Sequence, residues 1–360
     1  RRSGGGGDSA VQGESSGGFL ERLARRLGWG DEEGGDAMAK ERTGLRAYEG
    51  DDVWRDLREG ETASPRVTLL IHGLDEPGSI WDDLAPALRE AGHSVVRFDY
   101  PNDQRISDST DALGRALREL STRGVETVDV VAHSMGGLLM RDALTRESMY
   151  DGVGDARKGL PNVDRLITVG TPYSGAPLAS VRFIGEMREQ LARWIDSEGK
   201  DLSELLGFFE DGGGEAGEDL APGSAFLTEL HARGAPTGVR MTVIAGALGR
   251  AEMEQLREGL RSDAAQGVLG RAWSERAAAQ LTEAMTAVGD GVVPLDSARL
   301  EGVEDFVVLE ENHRSILKRT AIETARRGAV GMEQDPAPAI EVILDRLSRD
   351  DAGGDGARRE

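Results

Sequence analysis

The sequence predicts an α/β fold: a mostly parallel, doubly wound sheet with helices on both faces and helical cap insertions. Three observations point there. From Pro65 onward, short β-branched and aliphatic runs alternate with stretches of helical periodicity, the pattern of strands joined by crossover helices. One of those runs passes directly into a helix through a turn of small residues, AHSMGG at 132–137. The chain has 360 residues and 38% hydrophobic content, enough to enclose a large core, and one large domain with flexible ends is the simplest arrangement.

In chain order, VTLLIHG (67–73) reads as a buried strand, followed by a helix around IWDDLAPALREAG. SVVRFDY (94–100) is the next strand, with a helix around STDALGRALRELSTRG. VDVVAHS (128–134) runs straight into the helix MGGLLMRDALTRE. VDRLITVGT (163–171), VRMTVIAGA (239–247) and VEDFVVLEEN (303–312) complete the buried strands, and AIEVILDRL (339–347) forms a last helix. Two long intervals interrupt the alternation, at about 176–232 and 249–287. Insertions of that length are seldom structureless in a compact domain, so both are expected to fold as cap or lid helices. The domain is thus expected over 64–349.

Residues 1–60 are rich in Gly, Ser and acidic side chains, and 350–360 are polar; both are expected to be mobile. Within the arm, Phe19, Leu20, Leu23 and Leu27 fall at helical spacing, with Arg22, Arg25 and Arg26 on the remaining surface. A short amphipathic helix at 18–29 follows. Weak contact with a lipid interface, through this arm or the cap, is one use of it, and docking on the domain is the commoner one. The chain starts at Arg1 rather than Met, so a leader removed beforehand is compatible with the sequence, and both a cytoplasmic and an exported location stay open.

The chain contains no cysteine, which excludes disulfides, thiolate metal sites and a cysteine nucleophile. The formal charge of -22 leaves no basic stripe for phosphates and argues against a nucleic-acid partner. Basic residues are four lysines against 39 arginines, a balance that suits a GC-rich genome or a salt-adapted surface. No H-E-x-x-H pair or histidine cluster suggests a metal, and no cofactor is expected.

The chemistry concentrates at strand ends. Ser134 stands between a strand and a helix, with the small residues Ala132 and Gly136 two positions away on either side, the context of a nucleophile elbow. The motif reads A-H-S-M-G and departs from G-x-S-x-G at its first position. IHGL (71–74) ends the earlier strand. A tetrahedral intermediate needs two backbone N–H donors, and Met135 and Leu74 are the candidates, with Gly73 letting the loop bend and His72 holding it by a hydrogen bond. Of five histidines, His93 begins a strand, His133 lies inside the elbow and His231 lies in an insertion. His313 directly follows the last buried strand, where a loop can carry its imidazole over the sheet edge. Asp290, flanked by glycines in VGDGVVPLDSA, fits the orienting acid; Asp296 is its competitor, although DSARL looks like the cap of a helix.

The order Ser134, Asp290, His313, together with HG at 72–73, AHSMGG at 132–137, GTPYSG at 170–175 and GDGVVP at 289–294, resembles the α/β-hydrolase superfamily. Within it the likeness is to bacterial lipase-like esterases and the related GPI inositol deacylases, carried by GTPYSGAPLA and the later APGSAFLTEL. The resemblance implies a serine esterase acting on a small-molecule or lipid ester. The same three residues could serve a thioesterase, an amidase or an acyltransferase, and a hydrolase fold can also persist as a binding protein.

The acidic surface yields a stability expectation. Mutual repulsion opposes the compact state until salt screens it within about 10 Å at 0.1 M. The melting temperature should rise between low and molar sodium chloride, and a flat response would show that repulsion does not limit stability.

Overall fold

The computed structural model describes residues 43–57, 63–74, 78–102, 104–150, 159–176, 215–247, 271, 289–290, 292–319 and 336–349. In chain order the elements are β1 (Gly44–Gly50), β2 (Val53–Asp56), β3 (Arg66–Ile71), α1 (Leu84–Glu90), β4 (Val95–Asp99), α2 (Ile106–Thr122), β5 (Thr127–His133), α3 (Met135–Thr145) and β6 (Asn162–Val169). There follow α4 (Glu215–Asp219), α5 (Ala225–Ala232), β7 (Arg240–Gly246), α6 (Leu295–Ala298), β8 (Phe306–Leu309) and α7 (Pro338–Ser348). The strands form one eight-stranded sheet in the order β2-β1-β4-β3-β5-β6-β7-β8. Pairings from β4 through β8 are parallel, while β1 runs antiparallel to both β2 and β4.

Alternation along the central strands sends successive side chains into two separate cores. Leu69, Ile71, Val128, Val130 and Leu166 face a layer containing α2, α3 and α5. Leu70, Val131, Ile167 and Ile244 face α1, α7 and the turn carrying Ile316 and Leu317. Each fully buried aliphatic side chain contributes roughly 1.5–3 kcal/mol, so the central strands hold the three layers together. Helix α2 buries Ile106, Leu113, Leu117 and Leu120 as a stripe, and the Asp219 carboxylate accepts from the Ile106 N–H at 2.9 Å, capping it from a distant element. Helix α3 is buried from Met135 to Leu144, its two charged side chains included: Asp142 pairs with Arg146 and Arg233, and Arg141 donates to the carbonyls of Leu230 and Gly234.

The chain leaves β3 for β4 on one side and then crosses back to β5 on the other. The carboxyl ends of β3 and β5 therefore flank the point where strand order reverses, the place where open α/β sheets hold their ligands.

Three expectations change. The arm expected over 1–60 does not extend that far: Gly44–Gly50 and Val53–Asp56 form a hairpin on the sheet, turning through Asp51 and Asp52 at φ 49° and 59°. The amphipathic helix proposed at 18–29 lies outside the described residues. The first cap interval also ends earlier than expected, because Ala216, Leu227 and Leu230 are buried in the α2/α3 core. Residues 177–214 of that interval, the second interval apart from Arg271, and 350–360 lie outside the described residues. The last strand is shorter than expected, at Phe306–Leu309. Among the described residues no helix is long and apolar enough to cross a membrane.

Tyr48 tests the hairpin assignment. Its ring is buried against Trp54 at 5.0 Å between centroids and packs in the α1/α7 core. Tyr48→Ala should cost roughly 2–4 kcal/mol of unfolding free energy in urea, whereas a tyrosine in a mobile arm would cost almost nothing.

Candidate active site

Ser134 stands at the carboxyl end of β5 with φ 53° and ψ -126°, a conformation that costs a non-glycine residue of order 1–3 kcal/mol. Three hydrogen bonds hold it there. Its N–H donates to the Val169 carbonyl at 2.8 Å, and its own carbonyl accepts from the Gly137 N–H at 3.1 Å and from Thr171 Oγ1 at 2.9 Å. The turn also needs space. A Cβ on Gly73 would stand 2.7 Å from Ser134 Cβ, one on Gly136 would strike the carbonyl oxygens of Ile71 and His72, and one on Gly137 would strike Thr171. The elbow is thus wedged between the end of β3 and the loop after β6. Ala132, the departure from the glycine pattern, is fully buried and faces the α2/α3 core.

Asp290 follows β7 and is buried. Its Oδ1 accepts from the N–H groups of Val292 at 3.0 Å and Val293 at 2.8 Å, and its Oδ2 accepts from His313 Nδ1 at 2.7 Å. The backbone repeats the link, since the His313 N–H donates to the Asp290 carbonyl at 3.1 Å. Asp296 has a different place. It is exposed in the first turn of α6, where Pro294 rather than Asp296 occupies the cap.

His313 lies beside the elbow. A Cβ on Gly170, which has φ 60°, would stand 3.0 Å from both His313 Nδ1 and Cε1 and 3.2 Å from Asp290 Oδ2. Gly170 immediately follows Val169, the partner of the Ser134 N–H. His133, read from the sequence as inside the elbow, donates from Nε2 to the His313 carbonyl at 2.9 Å, with ring centroids 4.7 Å apart. With Nδ1 engaged by Asp290, Nε2 of His313 is the nitrogen suited to accept a hydroxyl proton.

The loop 72–74 is held from β4. His72 Nδ1 and Asn102 Nδ2 donate to the Gly73 carbonyl at 2.9 and 3.2 Å, and the Tyr100 hydroxyl donates to the His72 carbonyl at 2.7 Å. The rings of His72 and Tyr100 stack at 4.4 Å. Burial pushes the Tyr100 phenol far above its usual range, so it remains a donor. Leu74 packs partly against the α2/α3 core, and Met135 is buried in the first turn of α3.

Sequence reading missed Tyr100, Asn102 and Thr171, and underrated His133. Thr171 lies in GTPYSG, directly after the end of β6. Tyr173 of the same motif is buried, and burial raises its pKa to about 12 against the opposing bond to Thr168 and the nearby Arg141 charge. Its hydroxyl bonds Thr168 Oγ1 at 2.9 Å, which anchors the loop below the site. Among the described residues no group of three or more His, Asp or Glu side chains is arranged to hold a metal ion.

Comparison with known proteins adds a family match. A model described as the alpha/beta hydrolase family matches residues 68–317. No match was found among curated protein sequences. Similar solved structures include the mature lipase BlEst2 of Bacillus licheniformis, 20% identical, with TM-score 0.45, covering 77% of this chain and 96% of that one. A carboxylesterase of the thaumarchaeon Nitrososphaera gargenis is 12% identical with TM-score 0.40, covering 84% and 99%. A monoacylglycerol lipase of Paleococcus ferrophilus is 15% identical with TM-score 0.37, covering 79% and 96%.

Gly170 offers a test of the site geometry that does not depend on activity. Gly170→Ala should displace the His313–Asp290 pair, so the low-field proton resonance expected for the Nδ1–H···Oδ2 bond should be present in wild type and lost in the variant. Retention of that resonance in a folded Gly170→Ala protein would contradict the packing described.

Proposed function

The chain belongs to the alpha/beta hydrolase family, whose model matches residues 68–317, and from that premise we propose that it is a serine hydrolase cleaving carboxylic esters. Ser134 is the nucleophile, His313 the general base and Asp290 the orienting acid. The observation that carries the reading is the 2.7 Å bond between Asp290 Oδ2 and His313 Nδ1 beside the strained Ser134 turn. Asp290 Oδ1 is committed to two backbone N–H groups, so the carboxylate cannot rotate away from the imidazole without losing them.

The reaction follows from these roles. His313 Nε2 takes the Ser134 hydroxyl proton as Oγ bonds to the acyl carbon, and the carbonyl electrons move to oxygen. The Leu74 and Met135 N–H groups stabilise that oxyanion. The tetrahedral adduct collapses, the bond to the alcohol oxygen breaks, and the alkoxide leaves with the proton from Nε2. Water then attacks the acyl-enzyme with His313 again as base, releasing the carboxylic acid and restoring Ser134. Asp290 keeps Nδ1 protonated throughout and stabilises the transient imidazolium. Gly73 and Gly136 bring the loop and elbow into register, and the substrate class is a small-molecule or lipid ester.

Hydrolysis of p-nitrophenyl esters from acetate to palmitate tests the reading. Ser134→Ala and His313→Ala should each lower kcat by roughly 10⁶, as expected for residues acting as one unit. Asp290→Asn should lower it by up to about 10⁴ at neutral pH, because the amide favours the wrong tautomer, while Asp296→Asn should leave kcat near wild type. A folded Ser134→Ala protein retaining more than a few per cent of the activity would falsify the mechanism.

A further inference from the structure

Two peptide groups supply the N–H donors in the reaction above, Gly73–Leu74 and Ser134–Met135. A trans peptide points its N–H and its C=O in opposite directions, and no described peptide bond is cis. Whatever holds the carbonyl therefore aims the N–H. Each of these carbonyls is held by a side chain from a third element. Asn102, just beyond β4, donates to the Gly73 carbonyl at 3.2 Å, beside the 2.9 Å bond from His72. Thr171, just beyond β6, donates to the Ser134 carbonyl at 2.9 Å, beside the Gly137 N–H at 3.1 Å.

We propose that Asn102 and Thr171 are positioning residues of the oxyanion hole, each setting the direction of one of its N–H donors by holding the carbonyl on the far side of the same peptide. The inference rests on the serine-hydrolase reading and deepens it. Neither side chain needs to touch substrate. Thr171 is fully buried and its approach depends on Gly137, where a Cβ would strike its hydroxyl. The 72–74 loop lies directly on the nucleophile, since a Cβ added to Gly73 would stand only 2.7 Å from Ser134 Cβ, so a small rotation of its peptide would redirect the Leu74 N–H relative to the reacting carbon. Tyr100 holds the preceding carbonyl, of His72, and keeps the whole loop against β4.

The arrangement gives an asymmetric kinetic expectation. Donors aimed at the developing oxyanion act in the transition state more than in the ground state, so loss of aim lowers kcat and leaves KM nearly unchanged. Thr171→Val keeps shape and removes the donor; Asn102→Asp keeps shape and replaces the donor by an acceptor. Each should lower kcat on p-nitrophenyl butyrate by roughly 10- to 100-fold, below the 10²–10³ lost when an oxyanion donor is deleted outright. An aryl trifluoromethyl ketone, which forms a tetrahedral oxyanion on the serine, should bind more weakly by the same factor. Thr171→Ser, which retains the hydroxyl, should restore both values.

Wild-type kcat and ketone affinity in both Thr171→Val and Asn102→Asp would overturn the inference. So would a loss in Thr171→Val that Thr171→Ser does not restore, or a loss confined to KM. A wild-type protein that hydrolyses no ester and takes no fluorophosphonate would overturn the serine-hydrolase reading, and this inference with it. An active, labelled wild type beside unaffected variants overturns the inference alone.

Discussion

The carboxyl ends of β3 and β5 meet at a separation that no side chain could occupy, and the geometry of the whole upper edge follows from that approach. Gly73 and Gly136 lie where a single added carbon would overlap Ser134 Cβ or the backbone of β3. Once the two strand ends are this close, the chain must leave β5 through a sharp turn, and Ser134 takes a left-handed φ of 53° to make it. The strain persists because neighbouring strands surround it. Val169 from β6 accepts the Ser134 N–H, and Thr171 and Gly137 hold its carbonyl. The conformation is thereby a property of three elements rather than of one turn.

The same logic extends outward to β7 and β8. Gly246 and Gly170 remove the side chains that would separate Asp290, His313 and the end of β6. Asp290 and His313 are then joined twice, by side chains at 2.7 Å and by backbone at 3.1 Å. His133 ties the His313 carbonyl back to the residue preceding Ser134. The proposed nucleophile and base are in this way connected through buried hydrogen bonds in a low-dielectric interior, where such links are strong and costly to leave unmade.

Much of this was legible in the sequence because its signals are local. A buried strand, a turn of small residues and an apolar helix are consecutive from Thr127 to Thr145, so the elbow could be read from one window. The strands from β3 to β8 carried the same kind of signal, and the fold class followed. The hairpin from Gly44 to Asp56 did not. Its strands are short, its surroundings are rich in glycine and acid, and a register shift between Tyr48 and Gly50 breaks the alternation that would have marked it. Asn102 and Thr171 were illegible for a different reason. They bond to backbone carbonyls of distant segments, a contact that imposes no spacing or composition on the chain. Asp290 was preferred to Asp296 from its flanking glycines alone, and what the sequence did not carry is the clasp of its carboxylate by the N–H groups of Val292 and Val293.

The antiparallel hairpin has a reach beyond the edge it closes. Strand β1 pairs along β4 from Ala47 opposite Val96 to Gly44 opposite Asp99, so it backs the very end of the strand that leads into Tyr100 and Asn102. Without that partner, β4 would present an open row of amides and carbonyls to solvent or to another chain. The first described segment of the protein is therefore a mechanical brace for a loop far from it in sequence. A nick or a register slip in this brace would reach the proposed oxyanion loop through β4, and would surface as sluggish turnover and self-association in a molecule whose nucleophile, base and acid were all intact.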